Sequence, residues 1–302
     1  VSAAPRLSSL RWARAADVLR RVLRHPGALL SLVFLVGLLL LAFGARWVLP
    51  FDPLEQDYSS ILEGPTRTHW FGTDELGRDI LARAVYGART SLLTAAGAVL
   101  IAALVGVPIG LVAGFYGGWR DTLLMRFVDV LLSLPGILFA MALIAVLGRS
   151  QMAALVAVGI TGIPSFARIT RAQVLSLRQR EFVLAVEALG GSPLYNMFRT
   201  VLPNAWSPIL VQAVILSSVA ILIEASLAFL GVGIPPPTPS WGEMLREGKS
   251  YLSESPTYAV LPGLVLTLTI LSLDTLGRRL GQVLEDRQDL GDRLAPREGG
   301  RA

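Results

Sequence analysis

The sequence predicts an all-α membrane protein with six transmembrane helices. Of its 302 residues 53% are hydrophobic and 16% charged, whereas a soluble domain carries about 25% charged residues. The apolar residues gather into runs long enough to cross a bilayer. Those runs are continuous, without the in–out alternation of barrel strands, so helices must satisfy their backbone hydrogen bonds.

The first run, Gly27 to Ala45, follows Arg6, Arg11, Arg14, Arg20, Arg21 and Arg24. A secretory signal has an apolar core of about 7–15 residues. This run is longer and reaches roughly 28 Å as a helix, so it reads as an uncleaved first span. Five more runs follow: Thr90–Trp119, Val130–Gly148 (interrupted by Pro135-Gly136), Ser150–Ala167, Pro203–Ile223 and Pro256–Leu273. The expected spans are 28–49, 90–115, 122–148, 150–170, 205–230 and 256–277. They form one domain over 28–285, with tails at 1–27 and 286–302. Gly97, Gly106 and Gly110 in the second span suit close helix packing.

Charge sets the expected orientation. Net charge is +5, and Lys249 is the only lysine. With a cytoplasmic N-terminus, the inner segments hold nineteen basic residues and the outer ones eight; the positive-inside bias therefore places both termini in the cytoplasm. The arginines flank apolar spans and lack the interleaved aromatics of a nucleic-acid surface. With no cysteine, and with His25 and His69 far apart, no metal site or catalytic constellation is expected.

The most informative polar segment is 181–203, between the fourth and fifth spans. Phe182, Ala185, Val186 and Leu189 recur at helical spacing, with Glu181 and Glu187 off the stripe. Gly190 and Gly191 stop that helix, and Ser192 with Pro193 starts another. Such an elbow can lie on lipid or fill a protein groove, and the small residues Ala185, Ala188, Gly190 and Gly191 favour the groove. Arg126 and Asp129, one turn apart, are expected to pair. Glu224, in the outer half of the fifth span, is costly in lipid and must face protein or water. It is expected either by a solute path or as a packing partner for Ser, Thr or Arg. The stiff Pro235–Trp241 run is a gate candidate or a rigid loop.

Three segments carry a resemblance. The elbow resembles the cytoplasmic Glu-Ala-Ala loop of bacterial ABC importer permeases: Gly190, one alanine and Leu202-Pro203 match, while Leu184, Val186 and Thr200 depart from the pattern. Phe71 to Arg83 with Tyr86 to Leu92, and Ser226 to Gly233 with Pro235-Pro236 and Pro239 to Gly242, are similar to stretches of the C-type permeases of the dipeptide/oligopeptide/nickel family. The resemblance covers about 28 to 285 and includes Arg126, Asp129 and Pro135. It implies the type I ABC importer (MetI-like) permease fold in a bacterial inner membrane. It also implies a homologous B-type permease partner, one or two cytoplasmic ABC ATPases holding ATP and magnesium, and an extracytoplasmic solute-binding protein. The docking residues it implies are Leu184, Ala185, Val186, Glu187, Ala188, Leu189, Gly190, Gly191 and Ser192. The solute would be a peptide, or alternatively nickel, an opine or another small molecule. Gly248-Lys249-Ser250 is not a phosphate loop, because Glu243 stands where its first glycine belongs. An ion-coupled secondary transporter would instead show paired broken helices and an ionisable relay at midplane.

Overall fold

The computed structural model describes residues 17–294, with side chains through residue 286. Arg6, Arg11, Arg14 and the end of the C-terminal tail lie outside the described residues. Residues 17–23 are helical and lead into α1, Pro26–Val48, which Pro26 opens where its missing N–H costs nothing. Next come α2 (Ile80–Tyr116), α3 (Gly118–Leu132), α4 (Gly136–Leu147) and α5 (Gln151–Leu177). The elbow helix α6 (Glu181–Ala188) precedes α7 (Pro193–Phe229), which runs unbroken through a π-helical stretch at Asn196–Val201. The chain finishes with α8 (Trp241–Gly248) and α9 (Thr257–Leu294).

Five of these helices are long and apolar enough to cross a membrane, and the α3–α4 pair raises the number to six. Within the expected third span at 122–148 the two helices meet at 86°, at the interruption that Pro135-Gly136 marks in the sequence. Pro135 cannot donate to the ladder and disfavours helical backbone at Leu134, so the helix stops at Leu132 and restarts at Gly136. A second difference concerns α2, which starts at Ile80 rather than near residue 90. The Asp79 side chain caps it, accepting from Ala82 N at 2.7 Å. The charge of Arg83, one turn in, is met by Asp74. At 37 residues α2 spans about 55 Å, well beyond a hydrocarbon core of about 30 Å, so its first turns stand outside the apolar layer.

The centre of the bundle is the α2–α5 pair. A Cβ on Gly106 would sit 2.6 Å from the Ile163 carbonyl oxygen, so only glycine allows this backbone approach. Around it a core of small and branched side chains joins α1 (Leu38, Ala42), α4 (Ala140, Ile144) and α7 (Ala220, Ile221). The two ends of the bundle differ. Segments 49–79 and 230–256 fold over one, here the loop end; α6 crosses the other, the elbow end.

Candidate functional site

At the elbow end, α6 stops in a turn that glycine makes possible. Gly190 has φ +79°, its N–H donates to Glu187 O at 3.0 Å, and Gly191 N–H donates to Val186 O at 2.9 Å. This paired closure satisfies carbonyls that the helix end would leave open. Ser192 then caps α7 by accepting from Tyr195 N at 3.2 Å. One face of the elbow is anchored: Val183, Met197 and Val201 are buried with Leu111 of α2 and Val174 of α5. Arg178 seals the same joint by donating to the Gly114 and Phe115 carbonyls at the end of α2.

Asn196 joins the two limbs of the elbow. It is fully buried, and its amide donates to Val183 O at 3.2 Å and to Glu187 Oε1 at 3.4 Å. No spacing in the sequence marked it, since an asparagine at the start of a helix ordinarily reads as a local cap. The opposite face of α6 is bare. Phe182, Leu184 and Leu189 are 43%, 48% and 88% exposed, with Ala185, Ala188 and Gly190 exposed among them. Of the expected docking residues, Val186 and Gly191 are partly covered by the chain itself.

The expected Arg126–Asp129 pair does not form. Asp129 instead accepts from Arg168 of α5 at 2.8 Å, on the face of α3 that packs against α5. Two turns earlier, Arg171 grips Asp121 through two hydrogen bonds of 2.6 Å.

The solute-path candidates Glu224 and Trp241 are both buried. Glu224 is 1% exposed and accepts from Ser91 Oγ of α2 at 2.9 Å. Trp241 is fully buried, and its indole N–H donates to Ala84 O at 2.9 Å. Trp241 clamps α8 onto α2, beside Gly87, where an added Cβ would touch the ring.

Beside this clamp lies a charge cluster whose role the sequence did not disclose. Asp74 is buried and binds Arg78 Nε at 2.6 Å and Arg83 Nε at 3.3 Å, while its other oxygen accepts from the backbone of Leu76 and Arg78. Glu243 of α8 is 2% exposed, and neither carboxylate oxygen has a hydrogen-bond partner. Burial pushes its pKa up to about 7; Glu247 adds to the rise, and Arg83, Arg246 and Arg78 oppose it. The density of acidic and basic residues from Asp74 to Arg83 was the available signal.

A bundle of bent and proline-bearing spans with a glycine-stopped elbow has close relatives. Residues 106–289 match the binding-protein-dependent transport system inner membrane component family, and 14–65 match the N-terminal TM domain of oligopeptide transport permease C. The chain belongs to this permease family. A dipeptide transport system permease protein of Alkalihalophilus pseudofirmus is 38% identical to the permease over 271 residues, covering 90% of this chain and 89% of that one. A glutathione transport system permease protein of Escherichia coli is 41% identical over 269 residues, 89% of each. A di/tripeptide transport system permease protein of Pseudomonas aeruginosa is 40% identical over 269 residues, 87% of this chain and 89% of that one. Among solved structures, an inward-facing MetNI methionine ABC transporter chain superposes with a TM-score of 0.56 at 20% identity, covering 68% of the permease and 97% of that chain. The likeness confirms the MetI-like fold. The permease is thus a multi-pass membrane subunit of an ABC importer, a class that implies a second permease, an ATPase and a solute-binding protein.

Proposed function

We propose that the permease forms, with a homologous B-type permease, a membrane path for peptides handed over by an extracytoplasmic binding protein. Its termini face the cytoplasm of a bacterial cell. One or two cytoplasmic ABC ATPases dock on 184–192 and bind the ATP and magnesium; this chain carries no ATPase site. The observation that bears most weight is the bare apolar face of α6 on a helix whose other face is anchored. An exposed patch held in a fixed pose is a surface built for a partner. Gly248-Lys249-Ser250 lies at the C-terminal end of α8, where a phosphate loop would need a helix N-terminus. The peptide assignment draws on the three relatives, whose names all specify small peptides.

Force has a short route. The second limb of the elbow and the fifth span are one helix, α7, so a push on α6 reaches α7 through Asn196 and the Val183–Met197–Val201 contacts. The bundle then needs two packings of comparable free energy, and closure of the ATPases selects one by its differential contacts.

Gly190→Val tests the docking surface. An added Cβ meets nothing within 4 Å, so the substitution acts through backbone strain at φ +79°. Strain of about 1–3 kcal/mol corresponds to between about five-fold and about a hundred-fold in an equilibrium. ATP-driven peptide uptake and co-purification of the ATPase are expected to fall on that order, with membrane insertion unchanged. Normal uptake at normal expression would remove the docking role. Uptake by the isolated chain on an ion gradient alone would remove the whole reading.

A further inference from the structure

Four arginines on two helices meet where the bundle's first and last spans leave the apolar layer at the elbow end. The helix at 17–23 packs on α9 through Val22, Ala28 and Val283. Between them lies a pocket of about 230 Å³ lined by Arg21, Arg24, Arg279, Val283 and Asp286. Arg279 Nη1 donates to Gln282, but its Nε is buried without a partner. Arg21 is held by Asp17 at 3.1 Å, leaving Asp286 the one carboxylate in the wall among the described residues, against three guanidinium groups. A positive-inside bias asks only that basic residues lie on one side, and solvent would let them spread apart. Converging them on one hollow, with a buried N–H left open, costs free energy unless an anion completes the site.

The adjoining surface says which anion. A second hollow of about 410 Å³, sharing Arg24, is walled by Leu19, Leu23 and Arg20. Leu19 is 54% exposed, and Arg24 stands two residues before Pro26, where the apolar run of α1 begins. A cationic pocket beside leucines at the edge of a span matches a headgroup phosphate with its acyl chain alongside. Guanidinium suits this phosphate because its planar fork can engage two oxygens.

We propose that Arg21, Arg24 and Arg279 hold the phosphate of an anionic phospholipid, tying the N-terminal helix to α9 at the membrane surface. The site is separate from the elbow and does not depend on the coupling reading. The test uses the full chain purified in its native assembly and exchanged into equimolar phosphatidylglycerol and phosphatidylcholine. Intact-complex mass spectrometry is expected to find phosphatidylglycerol retained preferentially. Arg24→Gln should weaken retention about five-fold, and Arg24→Gln with Arg279→Gln on the order of twenty-five-fold. Arg67→Gln, an exposed arginine of the loop end, should leave it unchanged. Should the double variant fail to fold, Arg24→Gln alone carries the measurement, since that side chain is exposed. Equal retention of both lipids, an equal loss in the Arg67 variant, or displacement of the lipid by millimolar inorganic phosphate would each overturn the proposal, the last by marking a free-phosphate site.

Discussion

The two ends of the bundle solve opposite problems. The loop end buries charge: Asp74, Arg78, Arg83 and Glu243 are all nearly inaccessible, and Trp241 clamps α8 across them. The elbow end exposes apolar surface, with Phe182, Leu184 and Leu189 bare on a helix fixed from behind. The first end pairs Asp74 with Arg78 and Arg83, while burial holds the unpartnered Glu243 toward its neutral form. The second leaves an apolar face that would gain burial on docking, the partner surface proposed above. Substitutions at the loop end should therefore act on stability, and those at the elbow on coupling.

The largest effect expected is from Asp74→Ala. It would leave Arg78 and Arg83 buried without their shared carboxylate, a loss of about 3–5 kcal/mol. Thermal melting of the purified chain should show a collapse of the folded state, and a near-normal melting temperature would break the distinction between the ends.

Glu243 offers a reversible version. Folded Glu243 keeps its proton to about pH 7, whereas an unfolded glutamate releases it near 4.5. Across that window the folded state binds more protons, so stability falls as pH rises from about 4.5 to 7 and levels off above. Glu243→Gln should flatten this slope and melt higher than the parent at pH 8. A slope unchanged in that variant would assign the pH dependence elsewhere.

Asn196→Leu sharpens the elbow side. Two donated hydrogen bonds are lost, worth about 1 kcal/mol each, but the unpartnered Oδ1 is removed as well, which offsets part of the loss. Melting should move little. Hydrogen exchange of the α6 amides should accelerate, and transport per ATP hydrolysed should drop while the ATPase stays bound. A large melting shift with intact coupling would make Asn196 a stability residue like those of the loop end.

The smallest effect is expected from Asp129→Asn. Both partners of the Arg168–Asp129 pair are more than half exposed, so the change should fall within about 1 kcal/mol.

The elbow was legible because its signals are local. Gly190 and Gly191 stop a helix, and Ser192-Pro193 starts the next, through backbone rules that act within a few residues. The approach of α2 to α5 was also foreshadowed by Gly106 and Gly110, which have no other use on an apolar face. Asn196 and the Asp74 cluster escaped because their meaning depends on how elements pack: Asn196 gains Val183 only when α6 folds back over the glycine turn, and Glu243 comes from a segment well over a hundred positions away. The Arg126–Asp129 expectation failed for the same reason. A one-turn spacing permits a pair, but the packing of α3 on α5 gave Asp129 a different cation.

The sequence by itself determined that this is a six-span helical membrane protein with a glycine-stopped elbow, because a bilayer demands long apolar runs and leaves the backbone no alternative to helix. Tertiary structure alone decided that Trp241 is a clamp, how sharply the third span turns at Pro135, and which face of α6 remains bare. Burial and pairing are properties of the neighbours a residue acquires, and those neighbours are fixed only when the helices pack.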